Sequence, residues 1–242
     1  MSIKRMRVFA GPNGSGKTTI FKGILKDSNI NLGVYVNADE IEVILNGSSP
    51  LDFGLFQIQV SNEQLRVFFK RSTFSPTKRK ESDLYTKLFV NDNLLTITTF
   101  VDSYLAADLA EFVRQQLVDQ GLSFTYETVM SFPDKIKFLE ESRRKGYKVY
   151  LYFIATNDPE ININRVNLRV AQNGHYVDPD VISRRYFRSL KNLKFAIKQT
   201  DRAYVFDNTG TSAKLVAEIT SGINVIMNSA IETPSWVIDS LI

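Results

Sequence analysis

Gly11-Pro12-Asn13-Gly14-Ser15-Gly16-Lys17-Thr18 packs three glycines, a lysine and a terminal hydroxyl into eight consecutive positions. Those residue types at that spacing handle a polyphosphate. The glycines let the backbone wrap so that successive N–H groups point inward at phosphate oxygens, and a following helix adds the positive end of its dipole. Lys17 would reach the β- and γ-phosphates, and the Thr18 hydroxyl would ligate Mg²⁺, with Thr19 beside it in the first helical turn. Every fixed position of the P-loop pattern G-x-x-x-x-G-K-[ST] is filled. The flanks agree. Met6, Val8, Phe9 and Ala10 form an apolar run that reads as a buried strand, and Thr19 to Leu25 carries apolar residues at helical spacing. A chance Gly-rich turn has no need of all these features together. The chain is therefore expected to bind a nucleoside triphosphate, ATP or GTP.

Two acids stand where a phosphoryl acceptor would need them. Gly33-Val34-Tyr35-Val36 reads as a second strand running into Asn37-Ala38-Asp39-Glu40. In a parallel α/β sheet, ligands collect at the carboxyl ends of the strands, so Asp39 is placed to meet whatever receives the γ-phosphate. It could equally be the N-cap of the helix that follows. Leu122 to Tyr126 reads as another core strand, ending on Glu127-Thr128, where P-loop enzymes hold Mg²⁺ and its water shell or grip the substrate.

A third group is cationic. Arg165, Arg169, Arg184, Arg185 and Arg188 surround Asn173-Gly174-His175 and Asp178-Pro179. Arg165 and Arg169 lie one turn apart on a helix, and Asp178-Pro179 is an N-cap followed by Pro at N1. A helix–turn–helix of arginines late in a P-loop chain looks like a kinase lid, spanning about residues 161–192, whose guanidinium groups neutralise the transferring phosphoryl group. The alternative is a pair of solvated basic faces. His175 would contact phosphate or close the turn.

These residues need a scaffold, and the chain has the material for one. With 242 residues, 43% hydrophobic and 23% charged, it has the makings of a single α/β domain, 1–242: a mainly parallel P-loop NTPase sheet flanked by helices. Tyr147 to Ala155 is the longest apolar run and reads as the central strand. Ser131 is expected to cap a helix with Pro133 in its first turn, Ala203–Asp207 to be the last core strand, and about 212–220 a final amphipathic helix. Asp207 and Asn208 would border the nucleoside or build the turn. Between Lys70 and Lys80 the sequence is basic and Ser/Thr-rich with a proline, which reads as an exposed loop; Asn91-Asp92-Asn93 between two β-prone runs reads as a hairpin. Residues of about 67–100 are accordingly expected to form an insertion.

Composition removes other chemistries. The absence of cysteine excludes disulfides, thiol nucleophiles and Cys-bound zinc, and the single histidine excludes a multi-His metal site. A formal charge of +4, from 30 basic and 26 acidic residues, is too mild to imply a nucleic-acid partner and suits an anionic small-molecule substrate equally well. No apolar run approaches a membrane span and no signal-type segment precedes the P-loop, so a cytoplasmic location without a membrane partner is expected. The central strand does not end in Asp-Glu, and no L-S-G-G-Q-like signature occurs, which disfavours an ABC-type ATPase.

Taken together, the P-loop, Asn37 to Ile41, Glu127-Thr128 with Ser131, and Arg165 through Asn192 resemble the zeta toxin family of P-loop kinases. Arg169 to His175, followed by Ile182, Arg184-Arg185-Tyr186, Arg188-Ser189 and Asn192, is the most specific part. The resemblance covers about 1–46 and 102–220. It implies ATP- or GTP-dependent phosphorylation of a nucleotide sugar, with UDP-N-acetylglucosamine as the best-known substrate, and an antitoxin protein as partner. It makes Asp39 the base that accepts the sugar hydroxyl proton and Glu127 a substrate-site acid, with Thr128 and His175 at the substrate and the lid basic groups on the phosphates. The family's second catalytic arginine falls at His175 or at Arg185. A regulatory nucleotide-binding ATPase, or a nucleic-acid-directed kinase using the basic insertion, is the alternative from another class.

Overall fold

Three parallel strands end close together, β7 and β8 in register and β1 two residues short of them, and their ends build the site. The computed structural model describes residues 3–27, 31–47, 50–172, 174 and 176–241. The chain forms two compact units, Met1–Leu32 with Thr125–Ile242, and Gly33–Phe124. It opens the first unit with β1 (Arg5–Ala10) and α1 (Lys17–Asp27), then leaves it. In the second unit it makes β2 (Val34–Val36), α2 (Ala38–Asn46), β3 (Leu51–Asp52), α3 (Asn62–Arg71), α4 (Phe74–Arg79), β4 (Leu88–Asn91), β5 (Leu94–Ile97) and α5 (Ser103–Asp119). It returns through β6 (Phe124–Thr128), α6 (Pro133–Arg144), β7 (Lys148–Ala155), α7 (Pro159–Val170) and α8 (Pro179–Ile197). The last elements are β8 (Arg202–Asp207), β9 (Lys214–Thr220), β10 (Asn224–Met227) and α9 (Ser235–Leu241).

In the first unit the strand order is β10-β9-β8-β7-β1-β6. β7 is central because its run from Val149 to Ala155 is apolar enough to be covered on both faces. It pairs in parallel with β1, Ala10 opposite Phe153, and with β8, Ala155 opposite Asp207. Their carboxyl ends therefore bring the loops that follow them to one edge of the sheet, where α/β sheets take their ligands.

Several expectations are corrected here. Residues 214–220 are a strand, not a helix: Val216, Ala217 and Ile219 are buried, and β9 runs antiparallel to β8 with Lys214 opposite Asp207. Over so short a run the apolar residues fit both periods, and the pairing partner decides. Ser131 is buried but does not cap α6; Phe132 occupies the cap position without a side-chain hydrogen bond, ahead of Pro133. The proline has no N–H to satisfy there, which lowers the demand for a cap. β6 begins two residues later than expected, at Phe124, and ends on Glu127 and Thr128 as the sequence places them.

In the second unit a small sheet has the order β3-β5-β4. The hairpin turn is where the sequence puts it. Asp92 and Asn93 both take left-handed backbone angles, the geometry of a tight two-residue hairpin turn. Asn93 also donates to the Ile58 carbonyl and accepts from the Val60 N–H, both at 2.9 Å. The stretch 70–80 is not an exposed loop. Lys70 and Arg71 finish α3, whose start carries a Ser61–Gln64 capping box, and Phe74–Arg79 is helical with Ser75 buried. Its partners lie far along the chain: Asp108 of α5 accepts from the hydroxyls of Ser72 and Ser75 at 2.6 Å and from the Ser75 N–H at 3.1 Å. Arg79 reaches Glu81, Asp102, Thr99 and the Phe100 carbonyl. The unit that contains this stretch runs well beyond 67–100 in both directions.

Asp108 gives a stability prediction. Burial pushes its carboxyl above the usual range, against the pull of its hydrogen bonds from Ser72 and Ser75. The folded protein then holds a proton that the unfolded chain has released, so this group's contribution to stability falls as pH rises above about 4. Asp108→Asn keeps an acceptor oxygen and loses the charge. It is expected to be at least as stable as the parent at neutral pH, with the gain shrinking in acid, as read by urea unfolding. Asp108→Ala should cost about 1–3 kcal/mol by stranding the groups of Ser75. An Asn variant as damaged as the Ala variant would show that the charge itself is required.

Candidate active site

The P-loop lies between β1 and α1, as its glycines demand. Gly11 has φ +141°, and a Cβ there would sit 1.9 Å from the Ile154 carbonyl oxygen of β7; at Gly14, φ +73°, it would sit 2.4 Å from the Asn162 carbonyl oxygen of α7. No other residue lets the loop lie this close to its neighbours. Its start is fastened to β6, where the Gly11 N–H donates to the Thr128 carbonyl at 3.2 Å.

Two asparagines that the sequence reading did not assign to the loop hold it from outside. Asn162 Nδ2 donates to the Asn13 carbonyl at 2.6 Å, and Asn208 Nδ2 donates to the Ser15 carbonyl at 2.8 Å. Asn162 is fully buried on α7, and its side-chain oxygen accepts from the Thr156 hydroxyl. The available signal was its place one turn before Arg165 on the same helical face. Asn208 was singled out only as a nucleoside or turn residue. Asp207 builds the turn: its carboxylate accepts from Thr209 Oγ1 at 2.7 Å and from Trp236 Nε1 at 2.9 Å.

Lys17 Nζ donates to the carbonyls of Gly11 and Pro12, both at 2.9 Å, so the ammonium lies over the loop it belongs to. Thr18 Oγ1 donates to Glu127 Oε2 at 2.9 Å. The helix N-terminus and the end of β6 thus bring a hydroxyl and a carboxylate together, 109 residues apart in sequence. Both are hard oxygen donors. They fit Mg²⁺, which takes one or two protein oxygens and fills its remaining positions with phosphate and water. Thr19 is exposed in the same turn of α1, where backbone N–H groups have no helical acceptor and favour an anion.

The arginines do not form one cluster. Arg165 donates through Nη1 to the Asn208 carbonyl at 2.8 Å and through Nη2 to the Gly210 carbonyl at 3.1 Å, tying α7 to the loop after β8. Arg185 Nη1 comes within 3.5 Å of Asn13 Oδ1, at the mouth of the P-loop. Arg169, Arg184 and Arg188 are exposed. The two helices share a small core of Val166, Val177 and Ile182, and α8 is anchored by Ser189 Oγ on the Val129 carbonyl and Asn192 Nδ2 on the Met130 carbonyl. Tyr186 adds a third anchor on the Thr156 carbonyl at 2.6 Å; burial pushes its phenol up to about 12, so it stays a donor. His175 lies outside the described residues.

The zeta toxin family model matches residues 103–220, just under half of the chain, beginning after the P-loop. Over that span the chain is similar to zeta toxins. The AvrRxo1-ORF1:ORF2 complex solved with ATP aligns with a TM-score of 0.56 at 15% identity, over 96% of this chain and 64% of that one. A structure from the PezAT chromosomal toxin-antitoxin system of Streptococcus pneumoniae aligns with a TM-score of 0.51 at 18% identity, over all of this chain and 78% of that one. At such identities the likeness is one of fold, an α/β P-loop NTPase-like fold. An uncharacterized protein of Haemophilus influenzae is 30% identical over 69 residues, which is 28% of this chain and 49% of that relative. The match thus spans about half the length of the curated relative. No helix among the described residues is long and apolar enough to cross a membrane.

In the second unit, Asp39 is exposed in the first turn of α2. The N-cap there is Asn37, whose side chain accepts from the Asp39 N–H at 2.9 Å. The choice between base and cap therefore loses its second arm. Thr128 ends β6, and its hydroxyl accepts from the Met130 N–H at 3.4 Å.

Proposed function

We propose that this chain is a kinase of the zeta toxin type that moves the γ-phosphoryl group of ATP or GTP to a sugar hydroxyl of a nucleotide sugar in the UDP-N-acetylglucosamine class. The observation that carries the reading is the contact of Thr18 with Glu127 at the foot of a complete P-loop. Lys17 holds the β- and γ-phosphates, the loop N–H groups line the oxygens, and Thr18 with Glu127 holds Mg²⁺, which offsets charge on the transferring group. Arg185, already beside Asn13, and Arg165 and Arg169 of α7 take the remaining phosphate charge. Glu127 and Thr128 face the acceptor, and Asp39 takes its proton. The paired names of the AvrRxo1 and PezAT systems support an antitoxin-like protein partner for this chain as well.

The test is incubation of the whole chain with γ-labelled ATP or GTP against UDP-sugars, nucleosides and short oligonucleotides. Label transferred to a UDP-sugar supports the proposal; label on oligonucleotides, or hydrolysis alone, supports a nucleic-acid kinase or a regulatory ATPase. Within the proposal, single Ala variants of Arg165, Arg169 and Arg185 are expected to lower kcat more than they weaken ATP binding, because their contacts tighten at the transition state. Normal turnover in all of them would reduce the arginine-rich segment to a charged surface.

A further inference from the structure

The end of the main sheet carries a strand whose outer edge is uncovered among the described residues. β10 is the last strand of its sheet on that side, and no described strand pairs with its outer edge. Its side chains are exposed on both faces: Val225 is 47% exposed and Ile226 68%, with Ile223 at 76% just before the strand. Natural edge strands are protected by being short, as β10 is with four residues, and also by lysine, proline or an inward charge. It has none of the chemical protections: from Ile219 to Ile231 the sequence contains no Lys, Arg, Asp, Glu or Pro.

The hydrogen-bond phase of the strand is known. The Asn228 N–H donates to the Val216 carbonyl of β9 at 2.8 Å, and the register places Asn224 opposite Thr220. Main-chain groups alternate sides along an antiparallel strand, so Asn224 and Ile226 face β9, while Val225 and Met227 turn their N–H and C=O groups outward.

We propose that a second copy of this chain docks on that edge, the two β10 strands pairing antiparallel about a two-fold axis through Ile226. In that register each Val225 exchanges both main-chain hydrogen bonds with Met227 of the second copy, and Ile226 stands opposite its own counterpart in a non-hydrogen-bonded pair. The occupant is a like edge because the surface is apolar and uncharged. Pairing it with itself costs no charge repulsion, whereas an acidic or basic segment finds no counter-charge here. The inference does not depend on the kinase reading.

The absence of cysteine makes the test direct. Sedimentation of the whole chain at micromolar concentration is expected to give twice the 27.5 kDa chain mass, and Ile226→Lys should return it to the single mass with its circular dichroism spectrum unchanged. Opposed residues in a non-hydrogen-bonded pair lie about 4.5 Å apart at Cα, within disulfide reach. Ile226→Cys should therefore oxidise to a covalent dimer, and Asn224→Cys, which is offset from its own counterpart, should not. A monomeric parent with no cross-link through Ile226→Cys overturns the proposal. So does a dimer that Ile226→Lys leaves intact, or equal cross-linking at both positions.

Discussion

Lys17→Ala is expected to abolish phosphoryl transfer, with a loss of at least ~10²-fold in kcat. The ammonium is already poised over the loop by the carbonyls of Gly11 and Pro12 at 2.9 Å, and it sits at the start of α1 beside Thr18. A fixed cation aimed at the β- and γ-phosphates is worth most when charge shifts between them, so the loss falls on the chemical step as well as on binding. Lys17 is half-buried and donates to main-chain oxygens of its own loop, and the variant is expected to keep its fold. The check is single-turnover transfer from γ-labelled ATP, alongside an unfolding curve. Activity within a few-fold of the parent in a folded variant would mean that the P-loop is not where phosphoryl transfer occurs.

Asp39→Asn is expected to give a folded protein with near-normal ATP affinity and a kcat lower by ~10²–10⁴-fold, the usual contribution of a general base. The proposed carboxylate orients the acceptor hydroxyl and takes its proton late in a loose transition state. The structure makes the variant cleaner than the sequence alone allowed. Because Asn37 is the N-cap of α2 and Asp39 is exposed, the substitution leaves the cap hydrogen bond in place. The capping role has its own variant: Asn37→Ala should cost about 0.5–2 kcal/mol of stability. If Asp39→Asn turns over at the parental rate, the base lies elsewhere. If it unfolds the domain instead, Asp39 has a structural role beyond the cap.

The phosphate-binding loop was legible because it is local. Its glycines, Lys17 and Thr18 fall within eight positions, and the pattern needs only a backbone that can turn and a helix that begins at Lys17. The same holds for β7, where a long apolar run admits only a buried central strand, for the Asp178-Pro179 start of α8, and for the hairpin at Asp92-Asn93. In each case the physical cause lies within a few residues.

What failed was non-local. Residues 214–220 have an apolar pattern that fits a helix and a strand alike, and β8 settles it by supplying the partner. The basic stretch 70–80 looks solvated until Asp108 and Asp102, which come some 20 to 40 residues later in the sequence, take up Ser72, Ser75 and Arg79. Sequence by itself determined the phosphate loop, the fold class and the elements whose signals are local, because those follow from backbone freedom and hydrophobic period. Only the tertiary structure decided that Glu127 meets Thr18, that Asn162 and Asn208 hold the loop by its carbonyls, and that Arg165 ties α7 to the loop after β8. Hydrogen bonds between residues more than 40 positions apart exist only once the strands that carry them are paired in register.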